Sequence, residues 1–118
     1  MKKRVLITGA SGFVGYHLIV AALASDLEVF AAVRPSSDIQ HLAKLDLKYT
    51  FLDFSDPASL QREIQEKKYH YIIHASGITK AKSKEEYNTV NAEYSRNLAL
   101  AAVSADINLQ KFINSFWF

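Results

Sequence analysis

The stretch Val5–Gly15, VLITGASGFVG, decides how this chain is read. An apolar run ends at Thr8, glycines stand at 9, 12 and 15, and a helix-period pattern follows. Glycine at a turn either permits a backbone conformation that side chains resist or lets another group come against the main chain. With a strand before and a helix after, Gly9 suits a tight turn. Gly12 suits the close approach of a pyrophosphate, and Gly15 suits close packing of helix on strand. The helix start adds unpaired N–H groups and partial positive charge for the phosphates. Gly9, Ser11, Gly12, Phe13, Val14 and Gly15 are therefore the candidate contacts to a dinucleotide. The alternative is an ordinary turn with a small residue in helix packing. The strand–turn–helix setting weighs against it.

Outward from the loop, apolar runs alternate with helix-period segments. Strands are predicted at Arg4–Thr8, LEVFAAVR (27–34), LKYTFLDF (47–54), YHYIIHAS (69–76) and QKFINS (110–115). Helices are predicted at Gly12–Ala24, with Val14, Leu18, Ala21 and Ala22 on its buried stripe, and at 36–45. A third runs from an Asp56 cap and Pro57 to about Lys67, and a long one from about Lys84 to Ala105. Strand and helix in alternation imply a parallel sheet covered on both faces. The strands are rich in Val, Ile and Phe with little alternation, as doubly buried strands are.

The remaining composition excludes more than it suggests. The net charge of +2 is too mild to argue for nucleic acid. There is no cysteine, hence no disulfide framework and no thiolate metal site, which fits a cytoplasmic location. The opening MKKR resembles a secretion signal only superficially, because Thr8, Gly9, Ser11 and Gly12 break the apolar stretch. No apolar stretch is long enough to span a membrane. His70 and His74 share a strand face but lie about 13 Å apart along it, too far to hold one metal. His17 and His41 are expected on helix surfaces.

The spacing Gly9-x-x-Gly12-x-x-Gly15 within TGASGFVG resembles the extended short-chain dehydrogenase/reductase family, the group of NAD(P)-dependent sugar epimerases, dehydratases and related reductases. FLDFSD resembles the family's third-strand motif, HASG its fourth-strand motif, and YNTVNAEYSRNLALAA its helix with an internal asparagine. The resemblance implies a Rossmann-like α/β fold, a doubly wound parallel sheet of five strands in the order 3-2-1-4-5. It implies that Asp53, with Phe54 beside it, contacts adenine, and that the backbone of Ala75, Ser76 and Gly77 lines the cofactor. Read without the family, Asp53 could equally end a strand or begin a turn, and HASG could be an ordinary strand end. Asn91 sits amid an apolar stripe of Tyr87, Tyr94, Leu98, Ala101 and Ala105, where an unpaired amide would cost about 1–3 kcal/mol. Bonding near the cofactor or simple satisfaction in the core both fit it.

Arg34 stands where NAD-binding folds place Asp or Glu for the adenosine ribose. An arginine can instead clamp a 2′-phosphate, with Ser36 and Ser37 adding hydroxyl donors, so NADP is expected over NAD. The alternative is a solvated Arg34 with Asp38 serving the ribose. Lys80, Lys82 and Lys84 border the same crevice, as a solvated loop or as attraction for a phosphorylated substrate. The family's catalytic Tyr-x-x-x-Lys is expected on the helix after the fifth strand. None of Tyr16, Tyr49, Tyr69, Tyr71, Tyr87 and Tyr94 supplies it, so no catalytic residue is assigned. Residues 1–118 are thus expected to be one NAD(P)-binding domain, the N-terminal part of a longer fold that lacks the substrate domain and turnover. A non-catalytic dinucleotide sensor or interaction module is the other reading. Phe116, Trp117 and Phe118 beside an open fifth strand, with a bare face on helix 84–105, lead us to expect a homo-oligomer.

Overall fold

The structure, a computed structural model, describes residues 2–35, 38–75, 93–94, 96–102 and 111–114, the last group by backbone alone. The elements run β1 (Arg4–Thr8), α1 (Phe13–Ala24), β2 (Glu28–Ala32), a 3-10 turn (Gln40–Leu42), β3 (Lys48–Thr50), α2 (Pro57–Lys67), β4 (Tyr71–His74) and β5 (Lys111–Asn114). Residues 93–94 and 96–102 are helical. The strands form one sheet in the order β3-β2-β1-β4-β5. Every neighbouring pair is parallel, as the sequence leads one to expect.

Strand side chains alternate between two cores. Leu6, Phe30, Ala32 and Ile72 pack with Leu60 and Ile64 of α2 and with Leu98, Ala101 and Ala102. Val5, Ile7, Val29 and Ala31 pack on the other face with Ile19 and Ala22 of α1 and with Leu42. Both faces of β1 are fully buried, which explains its unbroken apolar run.

Several elements differ from their sequence reading. The helix expected at 36–45 contracts to the 3-10 turn, because Leu42, Ala43 and Leu45 each donate to the carbonyl three residues earlier. Asp38 Oδ1 caps that turn by accepting from Gln40 N–H at 3.1 Å. The third strand stops at Thr50 rather than running to Phe54, since it pairs only with Phe30–Ala32 of β2. The buried edge of α1 is Gly15, Ile19 and Ala22; of the expected stripe Ala22 is buried and Leu18 half-buried against the core, whereas Val14 and Ala21 are exposed. FVGYHLIVAALA is apolar nearly all round, so periodicity leaves its phase unfixed and packing decides it. The fourth strand begins at Tyr71 because the imidazole of His70 enters the ladder. Its Nδ1 accepts from Arg4 N–H at 3.0 Å, while His70 N–H donates to the Arg4 carbonyl at 2.9 Å.

α2 conforms to expectation. Asp56 accepts from Ser59 N–H at 3.3 Å, Pro57 opens the helix, and Lys68 closes it in the left-handed region at φ 54°. Its Glu63 joins three elements. Glu63 Oε2 accepts from the hydroxyls of Tyr69 at 2.6 Å and Thr50 at 2.8 Å, and Oε1 lies 3.5 Å from Lys67 Nζ. Burial and the Glu63 carboxylate push the Tyr69 hydroxyl well above the ordinary tyrosine range, so it stays a donor. We expect Glu63→Ala to cost about 2–4 kcal/mol by leaving two largely buried hydroxyls unpaired, and Glu63→Gln much less, because an amide oxygen still accepts. Urea unfolding of the two variants checks this; equal losses would show that these hydrogen bonds do not stabilise the junction.

Candidate functional site

The carboxyl ends of β1 and β4 mark where chain direction divides, since the connections after β1 and after β4 lead to opposite sides of the sheet. In open parallel sheets that division leaves a crevice above the strand ends. The glycine loop forms one wall. Gly9 has φ 66°, a conformation that glycine adopts without strain, and turns the chain away from β1. Its carbonyl accepts from Gly12 N–H at 3.1 Å. A Cβ on Gly15 would stand 2.1 Å from the Gly9 oxygen and 2.8 Å from Ala10 Cα, so the fold itself demands glycine there.

Gly12 is different. Its φ of −84° and ψ of 174° suit any residue. A Cβ there would meet the Gly9 oxygen at 3.4 Å, an ordinary contact. Among the described residues neither backbone strain nor packing explains the glycine. Gly12 is the N-cap of α1 and offers no side-chain hydrogen bond to the first turn, which also lacks acidic residues. Phe13 and Val14, the next two residues, are 80% and 54% exposed. The helix therefore presents its first N–H groups and positive end to open space beside a residue with no side chain. A depression of about 380 Å³ adjoins this terminus, lined by Ser11, Gly12, Phe13, Tyr16, His17 and His41.

The floor of the crevice is a buried polar pair. Thr8 Oγ1 lies 2.7 Å from His74 Nδ1 and accepts from Ala75 N–H at 3.1 Å. Thr8 and His74 are paired in register at the ends of β1 and β4. Burial lowers the His74 pKa to about 4, so the imidazole is neutral at pH 7. The far wall is built by Phe54, Tyr94 and Asn97. The Phe54 ring stacks on Tyr94 with centroids 5.4 Å apart and lies 5.5 Å from His74. Asn97 Nδ2 donates to the Phe54 carbonyl at 2.8 Å. Asn97 is a buried polar residue that the sequence reading passed over in favour of Asn91. The available signal was its place among Leu98, Ala101 and Ala102, all buried.

Asp53 is exposed and forms a turn: its Oδ1 accepts from Ser55 N–H at 3.0 Å and Ser55 Oγ at 2.5 Å, and these bonds hold its carboxyl below the usual range. Arg34 is exposed two residues beyond β2, whose end is tied to the glycine loop by Ala10 N–H donating to Ala32 O at 3.5 Å. Asp38, the alternative partner for the ribose, spends one carboxylate oxygen on the 3-10 turn. The structure thus gathers Gly9, Ser11, Gly12, Phe13, Val14, Gly15 and Ala75 at the strand ends, with Asp53 and Phe54 after β3 and Arg34 after β2. Ser36, Ser37, Ser76, Gly77 and Asn91 lie outside the described residues, as do the lysines at 80, 82 and 84. So do residues 84–92, 103–110 and 115–118, on which the expected association rests. Among the described residues no group of acidic, histidine or cysteine side chains could hold a metal, and no helix is long and apolar enough to cross a membrane.

Comparison with known proteins gives the same arrangement a context. Residues 5–115 match the NAD dependent epimerase/dehydratase family model. The chain is 33% identical to the ceramide reductase of Caulobacter vibrioides over 101 residues, covering 86% of this chain and 31% of that protein. Its structure superposes on the solved structure of gox2253 with a TM-score of 0.80 at 30% identity, covering 96% of this chain and 34% of the other. The fold is shared with WbmH of Bordetella bronchiseptica, solved in complex with NAD+, at a TM-score of 0.75 and 21% identity over 95% of this chain and 38% of that one. The chain thus spans about one third of the length of the curated relatives it matches.

The buried histidine makes stability depend on pH. An unfolded histidine takes up a proton near pH 6.5, whereas His74 in the fold resists it until about pH 4. Between those values the unfolded chain binds more protons, so stability falls as pH drops from about 6.5 to about 4 and this contribution flattens below. The total loss expected is roughly 3 kcal/mol. Urea midpoints across this range, compared between the parent chain and His74→Gln, test it; an unchanged slope in the variant would remove His74 as the cause.

Proposed function

The chain belongs to the NAD dependent epimerase/dehydratase family, and from that premise we propose that residues 1–118 form a single dinucleotide-binding domain of an NAD(P)-dependent epimerase, dehydratase or related reductase. The observation that carries this reading is Gly12, a glycine that neither its φ nor its packing among the described residues requires. A pyrophosphate seated at the start of α1 gives it a reason, because a side chain at 12 would fill the space the phosphates need. The N–H groups of the first turn would hold the phosphate oxygens, with Ser11 alongside. Ala75, Ser76 and Gly77 would line the nicotinamide half, and Asp53 and Phe54 would border the adenine. Bound there, the nicotinamide supplies or accepts a hydride.

The chain's own contribution is positional. The Thr8–His74 pair, neutral and buried at the division of the sheet, fixes the ends of β1 and β4 against each other. Asn97 fixes the backbone at Phe54, and Asn91 is proposed to support the same region. For the reaction we assign no acid or base within 1–118, since no tyrosine here has lysine four residues on. Turnover and substrate, a nucleotide sugar or another small molecule, are properties we propose for the complete protein. Ceramide reductase, similar over 86% of this chain, is named for a reduction, which fits a hydride-carrying cofactor. Arg34 supports NADP over NAD: a guanidinium offers donors to a 2′-phosphate and none of the acceptors that two ribose hydroxyls need.

Two substitutions test these assignments. Gly12→Val is expected to abolish binding of NADPH and NADH in a titration while the circular dichroism spectrum stays near that of the parent. Undiminished affinity would overturn the placing of the pyrophosphate. Arg34→Ala is expected to weaken NADPH about tenfold or more, the effect of losing a charged phosphate contact worth about 1.5–3 kcal/mol, and to spare NADH. A parent chain that binds both equally would overturn the NADP preference.

A further inference from the structure

The helix α1 reads FVGYHLIVAALA, without Asp, Glu, Lys or Arg. A helix of this composition is ordinarily covered all round. The core takes Gly15, Ile19 and Ala22, with Tyr16, Leu18 and Leu23 half-buried beside them. Phe13, Val14, His17, Val20, Ala21 and Ala24 are exposed, Val20 at 42%. The exposed side of α2 is the contrast, for it carries Arg62, Gln65 and Glu66. Among the described residues no element packs over the outer side of α1.

Four of its exposed residues make a single line. Phe13, His17, Val20 and Ala24 follow one another at spacings of four, three and four, the spacing of a seam between two packed helices. At the helical pitch they stay within about 60° of arc, on the side opposite Gly15. The Phe13 ring packs edge-on against His17 at 4.6 Å between centroids, so the two rings form one surface. The order of the spacings is the same in both directions. A second copy laid antiparallel along the line therefore sets Phe13 against Ala24 and His17 against Val20, each pair occurring twice about a two-fold axis. The largest side chain of the line meets the smallest, and the imidazole meets an aliphatic side chain rather than its own copy. Large against small is how facing helix positions interdigitate. Antiparallel helices also set the positive end of each macrodipole beside the negative end of the other. No like charges are pressed together, because the line holds no carboxylate, ammonium or guanidinium.

We infer that the outer side of α1 is a self-association surface whose occupant is the same side of a second copy, antiparallel, with Phe13 over Ala24 and His17 over Val20. The inference does not rest on the dinucleotide site. The line runs down the side of the helix, whereas the first N–H groups leave along its axis. It also lies apart from the fifth strand and helix 84–105, on which the sequence reading places association. Two helices of 12 residues bury less than a standard interface of about 1,600 Å², so a Kd of roughly 10–100 μM is expected.

Sedimentation of residues 1–118 across that range of concentration tests this, with the parent chain compared with Val20→Lys and with His17→Glu/Val20→Lys. The parent is expected to be a dimer in equilibrium with monomer. Val20→Lys, at an exposed position, is expected to weaken dimerisation roughly tenfold or more, because each dimer buries the ammonium twice. The double variant sets a carboxylate at 17 against an ammonium at 20 across the two-fold axis, and is expected to recover most of the affinity. A parent that stays monomeric, or a Val20→Lys chain that associates as the parent does, would overturn the inference. A double variant no tighter than Val20→Lys would overturn the antiparallel pairing. Cross-linking gives a second measurement that needs no charge on the helix, since the chain has no cysteine of its own. Phe13→Cys and Ala24→Cys chains, mixed and mildly oxidised, are expected to form a disulfide-linked pair. Either chain alone is not, because the two copies of one position would lie about 16 Å apart along antiparallel helices. Equal cross-linking in the mixture and in each chain alone would overturn the inference.

Discussion

The contact between Gly15 and the Gly9 carbonyl is the constraint on which the rest of the molecule depends. At 2.1 Å from that oxygen to where a Cβ would sit, no other residue fits without moving either β1's turn or the helix. The close approach draws the first turn of α1 against the end of β1 and sets the rotation of the helix, with Ile19 and Ala22 turned into the core on the same edge as Gly15. Phe13 and Val14 then face outward as a consequence. An exposed apolar pair at a helix start has no reason in packing. It follows from the rotation that Gly15 imposes, which also aims the helix N–H groups at the crevice.

The opposite side of the crevice is held by polar bonds that would be costly to break. Thr8 ties its own strand to His74 and to the backbone of Ala75. Asn97 ties a helix to the loop at Phe54, whose ring fills the gap between His74 and Tyr94. Each is a buried or half-buried donor or acceptor matched by a specific partner, so a small shift of either element would leave one unpaired. Close packing of glycine on one wall and matched hydrogen bonds on the other make a rigid frame around the strand ends.

Much of this was legible along the chain. The positions of β1 and of α2 with its Asp56–Pro57 start follow from apolar runs, caps and alternation, which depend on neighbours close in sequence; the order of the strands in the sheet follows from the family resemblance. The loop glycines were legible for the same reason. Their separate reasons were not: Gly9 serves a backbone angle, Gly15 a contact, and Gly12 neither. The 3-10 turn at Gln40–Leu42 escaped because Asp38 and Leu42 favour a short capped turn as readily as a helix start. Asn97 escaped because its partner, the Phe54 carbonyl, lies 43 residues away.

The sequence by itself determined the alternation of strand and helix, the parallel sheet that follows from it, and the family to which the glycine spacing points. These rest on local conformational preference and on the need to bury both faces of each strand. Tertiary structure alone decided which edge of α1 is buried, that His70 completes a strand ladder, that His74 is a neutral partner of Thr8, and that His41 faces Tyr16. In an evenly apolar helix, and for a histidine that can donate, accept or carry charge, the residue type permits several roles. Only the groups brought against it by the folded chain select one.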